Sequence, residues 1–337
     1  MSRCLVLASQ GKGYTEPNPL VGAVIVYNDK IIGEGFHKKY GDNHAEVEAL
    51  NSVSSSHKDK IRHSTIYVNL EPCSHYGKTP PCADRLIEEG IRRVVIGTID
   101  NHSLVCGRGI EKLRRAGIEC TVGIMEKSCK ELNAHFFTSH QLHRPYISLK
   151  WAQDKYGHFA NKDNKQHWFT GQSTKIFTHK LRSEHQAIWV GTHTLLTDHP
   201  RLDNRLYLGN SPIKVVVDAH DRIPHDHPIF SGGKIIYISN KENKLANVLN
   251  RTTDDYSLVN VLHILYQENI ISLMVEGGAR LLQQFLSENL WDKAYRYIGN
   301  NSLEAEATAA PTFTITPTDI FYAYKDKIEV FLNPCFI

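Results

Sequence analysis

The stretch LEPCSHYGKTPPC at residues 70–82, together with HAE at residues 44–46, decides the fold of the first half of this chain. His44 is followed two residues later by Glu46, and Pro72-Cys73 is followed by a second cysteine, Cys82. One imidazole and two thiolates give a tetrahedral zinc ion three protein ligands and leave the fourth position to water. The metal lowers the pKa of that water to roughly 7, while Glu46 can carry its proton without binding the metal. This ordered set predicts a Zn²⁺-dependent hydrolytic deaminase.

The spacing of the two cysteines leaves other interpretations open. Eight residues separate Cys73 from Cys82, whereas most zinc deaminases place two residues there. The three residues can be unrelated core or surface side chains, or they can form a structural zinc site with His75 as fourth ligand. Structural sites normally close the coordination with a fourth protein ligand and need no adjacent carboxylate, which favours the catalytic interpretation.

Length and charge restrict the class of protein. The 337 residues exceed what one hydrophobic core usually organises, so two domains are expected. The net charge of +3, with both signs interspersed, argues against a surface that coats nucleic acid. The apolar run Leu20 to Tyr27 is far too short to cross a bilayer, and no secretory signal is evident. We therefore expect a cytoplasmic protein with no nucleic-acid or membrane partner; a homo-oligomer is compatible with the sequence, which does not fix the oligomeric state.

Alternating strand and helix patterns predict two α/β domains, residues 1–144 and 145–337, with the boundary before Pro145. In the first domain the predicted strands span residues 20–27, 31–36, 65–70, 93–96 and 119–122, and the predicted helices span 44–53, 83–89, 110–116 and about 125–139. In the second domain the predicted strands span 146–152, 187–190, 214–218, 234–238 and 273–276, and the predicted helices span 173–182, 258–268 and 279–288.

Residues 70–82 closely resemble the bifunctional deaminase/reductase family of riboflavin biosynthesis, as do PNPLVG at 17–22 and GRGI at 107–110. The resemblance implies a cytidine-deaminase-like α/β/α sandwich followed by a dihydrofolate-reductase-like α/β domain. It implies hydrolytic deamination of a small phosphorylated pyrimidine, 2,5-diamino-6-(5-phosphoribosylamino)pyrimidin-4-one, and then NADPH-dependent reduction of the ribosyl side chain to ribityl. The alternative is a zinc deaminase of another pyrimidine nucleoside or base, with a weakened or inactive reductase domain.

The resemblance also assigns substrate contacts in the first domain. It places Asn18 and His37 on the substrate, Lys78 near its phosphate and Asp100 near its base. The plainer alternatives are a turn residue for Asn18, a strand-end surface residue for His37 and a solvated loop charge for Lys78. The family typically has Asp-Pro-Asn-Pro where this chain has Asp100-Asn101-His102-Ser103, so His102 replaces an Asn that is expected to contact substrate.

The second domain contains one informative motif, VEGGARL at residues 275–281. The pattern predicts a strand, a tight Gly-Gly turn and a helix whose N-terminus can approach a phosphate, although it lacks the Rossmann fingerprint and is a weak signal alone. With Leu149-Lys150 and the spaced residues Gly191, Thr194, Asp198, Pro200 and Leu202, it resembles the family's reductase domain. The resemblance implies that Lys150 and Glu276 polarise and protonate the imine or sugar oxygen.

Further residues of the second domain are assigned by matched position. The substrate and its phosphate would contact Gln166, Arg182, Leu202, Arg205 and Glu276. NADPH would contact Ala152, Trp168, Thr194, Asp198, Gly278, Ala279, Arg280, Leu281, Leu282, Gln283 and Gln284. The plainer alternatives are a helix-end cation for Arg182, a core residue for Trp168 and a snorkelling lysine at position 150. Tyr156 stands where the family has an aspartate before Gly157, and this change predicts a weaker reductase.

Overall fold

The structure, a computed structural model, describes residues 1–74, 76, 80–101, 107–161, 167–303 and 307–336. The chain forms two compact units, Met1–His143 and Arg144–Ile337. Five residues named above, His75, Lys78, His102, Ser103 and Gln166, lie outside the described residues.

A five-stranded sheet forms the centre of the first unit. Its strands are β1 (Gly22–Tyr27), β2 (Lys30–Phe36), β3 (Thr65–Leu70), β4 (Arg93–Thr98) and β5 (Glu119–Val122), in the order β2-β1-β3-β4-β5. β1 pairs antiparallel with both β2 and β3, and the β3–β4 and β4–β5 pairs are parallel. β3 therefore lies at the centre of the sheet, and its carboxyl end leads directly into the Pro72-Cys73 segment.

Helices cover both faces of this sheet. They are α1 (Ser2–Ser9), α2 (Ala45–Asn51), α3 (Cys82–Glu88), α4 (Arg108–Arg115), α5 (Glu126–Leu132) and α6 (Ala134–Leu142), with a 3₁₀ helix at Ser55–His63. Ala49, Leu86 and Leu113 of α2, α3 and α4 are buried on one face with Ile25 and Ile96. On the other face Cys4 and Leu7 of α1 pack with Val24. The first unit is thus an α/β/α sandwich, because alternate residues of each strand are buried on opposite sides.

The sequence analysis missed α1 and the 3₁₀ helix Ser55–His63 of the first unit, and one predicted helix differs from the structure. The segment 125–139, predicted as a single helix, contains two helices that meet at Asn133. Asn133 leaves the helical region, with φ −103° and ψ 24°, and its side chain bonds the main chain of Leu20 instead. An Asn side chain that finds backbone partners elsewhere competes with helix continuation, and this explains the break.

A nine-stranded sheet organises the second unit. Its strands are β6 (Tyr146–Asp154), β8 (Ala187–Trp189), β9 (Ile213–Val217), β10 (Ile235–Ile238), β11 (Val248–Arg251), β12 (Ser272–Val275), β13 (Lys293–Gly299), β15 (Asp319–Ala323) and β16 (Asp326–Leu332). The two remaining strands of this unit, β7 (His158–Asn161) and β14 (Ala307–Ala309), form a separate two-stranded sheet. The order is β11-β10-β9-β8-β12-β6-β13-β16-β15, parallel from β11 to β13 and antiparallel beyond it.

The helices of the second unit are α7 (Gln172–Ser183), α8 (Thr192–Asp198), α9 (Leu258–Gln267) and α10 (Ala279–Ser287), with short 3₁₀ helices at Pro228–Phe230 and Pro334–Phe336. Trp189, Leu262 and Phe285 are buried in one core cluster with Ile147 and Leu273. The predicted positions of β6, β8, β9, β10, β12, α7, α9 and α10 agree with the structure within two residues. The sequence analysis missed α8 and the strands β7, β11 and β13–β16.

The missed strands at the carboxyl end are short or mixed in polarity. β13 alternates irregularly between buried and half-buried residues because both of its faces are covered in part, and β15 is exposed along most of its length. The sequence of β13 therefore lacks a regular alternation of apolar and polar residues. The strand is stabilised instead by its pairing with β6 and β16. No helix among the described residues combines the length and apolar character that a membrane span requires.

Candidate active sites

Three elements bring the metal-ligand candidates of the first unit together. His44 is the N-cap residue of α2, Cys73 follows β3, and Cys82 begins α3. One ligand atom from each lies within 4.8 Å of the others, and among the described residues no fourth His, Cys, Asp or Glu joins this group. His44 Nδ1 lies 3.2 Å from Cys82 Sγ and 3.5 Å from Cys73 Sγ. This donor set fits a zinc ion with one position open to water.

The electrostatics of these residues suit metal binding and proton transfer. Hydrogen bonding from Cys82 and from His44 lowers the pKa of Cys73, and the same pairing raises the pKa of Cys82, so Cys73 is the first of the two sulfurs to become a thiolate. The Cys82 main-chain N–H also donates to Cys73 Sγ at 3.2 Å. Glu46 is only 3% exposed, and burial raises the pKa of its carboxyl above the usual range. A carboxyl whose pKa moves toward neutrality is a better general acid and base at the pH of the cell.

Asn18 and His37 adjoin the metal-ligand cluster. Asn18 Nδ2 lies 3.1 Å from His37 Nε2, and His37 Nδ1 lies 3.0 Å from the main-chain oxygen of Asn43. The carbonyl can only accept, so Nδ1 carries the proton and Nε2 accepts from the Asn18 amide. The rings of His37 and His44 meet edge to face, with centroids 5.6 Å apart. Burial lowers the pKa of His37, which keeps the imidazole neutral.

Two buried asparagines hold the segment that carries Asn18. Asn133 Oδ1 accepts from the Leu20 N–H at 2.7 Å, and Asn133 Nδ2 donates to the Leu20 oxygen at 2.9 Å. Asn69 on β3 also donates to the Leu20 oxygen and accepts from the Gly22 N–H. The sequence analysis missed both residues. For Asn69 the available signal was a polar amide near the end of a largely apolar strand, because a buried amide requires partners; Asn133, between two helices, offered no such signal.

Asp100 lies just beyond β4 and is 7% exposed. Its main-chain N–H donates to Glu71, which immediately precedes Pro72-Cys73. Parallel pairing of β3 with β4 brings the two segments side by side at the same sheet edge. The structure thus brings Asp100 close to the segment that carries Cys73, whereas Glu71 was not among the predicted site residues.

The second unit brings Lys150, Arg182 and Glu276 together. Arg182 donates from Nε and Nη2 to the two Glu276 oxygens at 2.6 and 2.8 Å, and Lys150 Nζ lies 3.6 Å from Glu276 Oε2. Burial alone would raise the pKa of Glu276, but Arg182 and Lys150 outweigh it and hold that pKa at about 2. Burial lowers the pKa of Lys150, whose ammonium also lies 5.2 Å from the centroid of the Tyr297 ring. Glu276 is therefore an ionised carboxylate at neutral pH.

The loop from Leu202 to Arg205 lies beside this cluster. Arg182 Nη1 donates to the Asp203 main-chain oxygen at 2.9 Å, and the Arg205 N–H donates to His179 Nδ1 at 3.1 Å. The Arg205 guanidinium is about half exposed and forms an ion pair with Asp203. Leu202 is 2% exposed, and its side chain packs in a core cluster.

The residues matched to a cofactor lie on β6, in the segment before α7, on α8, and at the N-cap and first turns of α10. Because β8 and β12 are neighbours, the start of α8 meets the Gly277-Gly278 turn, and a Cβ on Gly278 would lie 3.2 Å from Thr194 Oγ1. Gly278 has a φ of 74° and begins α10. The members of this set differ in exposure: Asp198, Arg280, Gln284 and Trp168 are exposed, Ala152, Thr194, Ala279, Leu281 and Gln283 are half-buried, and Leu282 is fully buried. A glycine turn before a helix N-terminus fits a phosphate group of a dinucleotide.

The carboxylate of Asp154 is committed to the β6–β7 turn. It accepts from the main-chain N–H groups of Tyr156, His158 and Leu303 and lies 2.9 Å from His158 Nδ1. Tyr156 is 65% exposed. The Asp154 carboxylate is therefore occupied within this turn and does not stand in for the aspartate that the family has before Gly157, where this chain has Tyr156.

An α/β/α unit with a His-Cys-Cys zinc-type site beside a buried glutamate and a second α/β unit with a cation–carboxylate cluster define a deaminase joined to a reductase. Two family models match: the zinc-binding region of cytidine and deoxycytidylate deaminases at residues 1–98, and the RibD C-terminal domain at residues 145–300. The riboflavin biosynthesis protein RibD of Aquifex aeolicus is 41% identical over 307 residues, which cover 88% of this chain and 85% of that protein. The chain belongs to the RibD family of bifunctional deaminase/reductases in riboflavin biosynthesis.

Solved structures agree with this family. RibD of Acinetobacter baumannii has a TM-score of 0.91 and 30% identity, covering 98% of this chain and 97% of that one. A diaminohydroxyphosphoribosylaminopyrimidine deaminase/5-amino-6-(5-phosphoribosylamino)uracil reductase from Thermotoga maritima has a TM-score of 0.90 and 32% identity, covering 99% and 97%. The cytidine-deaminase-like and reductase folds predicted from the sequence are confirmed.

Proposed function

We propose that residues 1–144 remove the 2-amino group of 2,5-diamino-6-(5-phosphoribosylamino)pyrimidin-4-one and that residues 145–337 reduce the ribosyl side chain of the product to ribityl. The observation that carries the proposal is the convergence of His44, Cys73 and Cys82 beside the buried carboxyl of Glu46. The Thermotoga maritima relative is named for both steps, as a diaminohydroxyphosphoribosylaminopyrimidine deaminase and a 5-amino-6-(5-phosphoribosylamino)uracil reductase. Zn²⁺ and NADPH are the proposed cofactors.

In the deaminase site, each residue has a distinct task. When bound, zinc supplies a Lewis acid that lowers the pKa of water to about 7. Glu46 takes one proton from the attacking water and gives it to the ring nitrogen, and it then carries the second proton, from the new hydroxyl, to the amino group, which leaves as ammonia; its raised pKa favours both transfers. The hydrogen bond from Asn18 to His37 fixes the orientation of the Asn18 amide, which positions the pyrimidine beside the ligand cluster.

In the reductase site, Lys150 and Glu276 have unequal roles. When bound, NADPH supplies the hydride. Lys150 is the proton donor to the sugar oxygen or imine nitrogen, because burial weakens its hold on a proton. Glu276, with a pKa of about 2, has no proton to give at neutral pH; together with Arg182 it orients the Lys150 ammonium.

The decisive experiment incubates the full chain with the diaminopyrimidine phosphate, with and without NADPH, and follows the products by mass. Without NADPH we expect the amino group to be replaced by oxygen, and with NADPH we expect the further gain of two hydrogens. NADPH oxidation should require the deaminated ribosylamine. A chain that releases no ammonia, or that reduces nothing, contradicts the corresponding half of the proposal.

A matched pair of variants tests the deaminase mechanism. Glu46→Gln should retain zinc and abolish ammonia release, because the amide cannot exchange a proton. Glu48→Gln, on the same helix and paired with Lys38 outside the ligand cluster, is the control and should keep full activity. Turnover retained by Glu46→Gln removes this residue from the mechanism.

A further inference from the structure

The Glu71 carboxylate accepts hydrogen bonds from four N–H groups. Oε2 accepts from the N–H groups of Asp100 and Gly107 at 3.3 and 3.0 Å, and Oε1 accepts from those of Gly109 and Ile110 at 2.9 and 3.3 Å. The residue is 4% exposed, and all four donors are main-chain groups. Hydrogen bonds to an ionised acceptor are stronger than neutral ones, so these contacts fix the positions of the segments involved.

These contacts join three parts of the deaminase site. Glu71 continues β3 and is two residues before Cys73, Asp100 follows β4, and Gly109 and Ile110 belong to the first turn of α4. Gly109 also approaches the main-chain oxygen of Pro72 so closely that a Cβ would lie 2.1 Å from it. The segment that carries Cys73 is therefore held against α4 from two adjacent residues.

We propose that Glu71 is a positioning residue, which sets the distance and orientation of the Asp100 segment relative to Cys73. The inference rests on the proposed deaminase function and assigns Glu71 no contact with substrate. A pyrimidine placed by Asp100 and attacked at the metal has a productive geometry only when these two segments keep a fixed separation. A displacement of about 1 Å at such a site lowers the rate about 10²-fold.

Two substitutions of Glu71 distinguish the effect of its side-chain length from the effect of its charge. In Glu71→Gln the side chain keeps its size, but one end becomes an NH₂ group that faces two N–H donors, whichever way the amide is turned. Glu71→Asp keeps the charge and is one methylene shorter, so it reaches fewer of the four donors. Glu111→Gln, an exposed carboxylate of α4 that pairs with Arg115, is the matched control.

The test measures kcat and KM for deamination per bound zinc in the full chain, with zinc content, thermal unfolding and reductase activity measured on the same samples. Each Glu71 variant should bind zinc, lose about 10- to 100-fold in kcat/KM and keep reductase activity within about twofold. Glu71→Asp should retain more activity than Glu71→Gln, and Glu111→Gln should match the parent.

Three outcomes overturn the inference. One is a lower unfolding temperature in both variants with unchanged kcat and KM per zinc, which indicates a purely structural role. Another is activity that falls only in proportion to lost zinc, which indicates support of the metal site alone. The third is failure of both variants to fold while the reductase domain stays active. If the parent chain itself does not deaminate, the proposed function has failed, and the parent sample reveals this separately.

Discussion

Replacement of Gly109 by alanine should damage the deaminase although it is a favourable change for a helix. Gly→Ala in a helix interior normally stabilises by about 1 kcal/mol. At this position the new Cβ would lie 2.1 Å from the Pro72 oxygen and 3.2 Å from Glu71 Oε1, whereas ordinary contacts begin at 3.4 Å. The Pro72 carbonyl or α4 must then move by more than 1 Å, and overpacking of this kind costs about 1–3 kcal/mol.

The displacement falls one residue before Cys73, so catalysis should suffer more than stability. We expect Gly109→Ala to lower deamination per bound zinc about 10²-fold and to reduce the free energy of unfolding of the first unit by about 0–2 kcal/mol net, the overpacking cost less the helix gain. The assay is ammonia release from the diaminopyrimidine phosphate, and reductase activity of the same sample is the internal reference.

The control is Gly171→Ala, where the nearest heavy atom to the new Cβ, Asp326 Oδ2, lies at 3.7 Å and φ is −83°. This variant should leave deamination unchanged. If Gly109→Ala is more stable than the parent, or deaminates within twofold of it, the close approach to Pro72 does not constrain the site and the reasoning fails.

Asn133→Leu should raise the KM for deamination about tenfold, with a smaller change in kcat. The main chain of Leu20 loses two hydrogen bonds in this variant, so the neighbouring Asn18 becomes less ordered. An unchanged KM in steady-state kinetics refutes this prediction. Lys150→Met should abolish substrate-dependent NADPH oxidation and leave ammonia release intact. Spectrophotometric measurement of NADPH oxidation at saturating substrate tests this prediction. Glu276 has a folded pKa of about 2, below its usual value, so its stabilisation is present above about pH 5 and is lost as pH falls toward 2. Acid unfolding should therefore show a loss of about 3 kcal/mol that Glu276→Gln lacks, and equal pH slopes for the two proteins contradict it.

The positioning of the deaminase site involves residues to which the sequence analysis assigned no role, Asn69 and Glu71, beside the assigned Cys73. Asn69, Glu71 and Cys73 occupy alternate positions at the end of the central strand, and each serves a different part of the site. Asn69 holds the segment of Asn18, Glu71 holds Asp100 and α4, and Cys73 is a metal-ligand candidate. Asn69 belongs to β3 (Thr65–Leu70), and Glu71 and Cys73 lie in the segment directly after it, so one strand and its continuation carry all three residues.

The reductase site illustrates how electrostatics depend on tertiary structure. The resemblance paired Lys150 with Glu276 as groups that polarise and protonate the substrate. The bidentate contact of Arg182 with Glu276 holds the pKa of this carboxyl at about 2, and for this reason we propose Lys150 rather than Glu276 as the proton donor. Arg182 was assigned to the substrate from the sequence, and its bonds to Glu276 and to the Asp203 oxygen connect residues 94 and 21 positions apart.

The sequence by itself determined the chemistry of the first site and the class of both domains. His44, Glu46, Cys73 and Cys82 are recognisable because metal ligation and proton transfer require particular side chains in a particular order. Long strands and helices with clear apolar patterns were also predicted correctly. These features are local, and they depend on what each residue is rather than on what it touches.

Only the tertiary structure decided which groups hold those residues in place. Glu71, Asn69 and Asn133 act on main-chain N–H and C=O groups, which every residue carries, so their partners leave no mark in the sequence. The same holds for β13, whose stability comes from neighbours on both sides rather than from its own pattern. A buried carboxylate or amide shows that partners must exist, and the fold alone determines which they are.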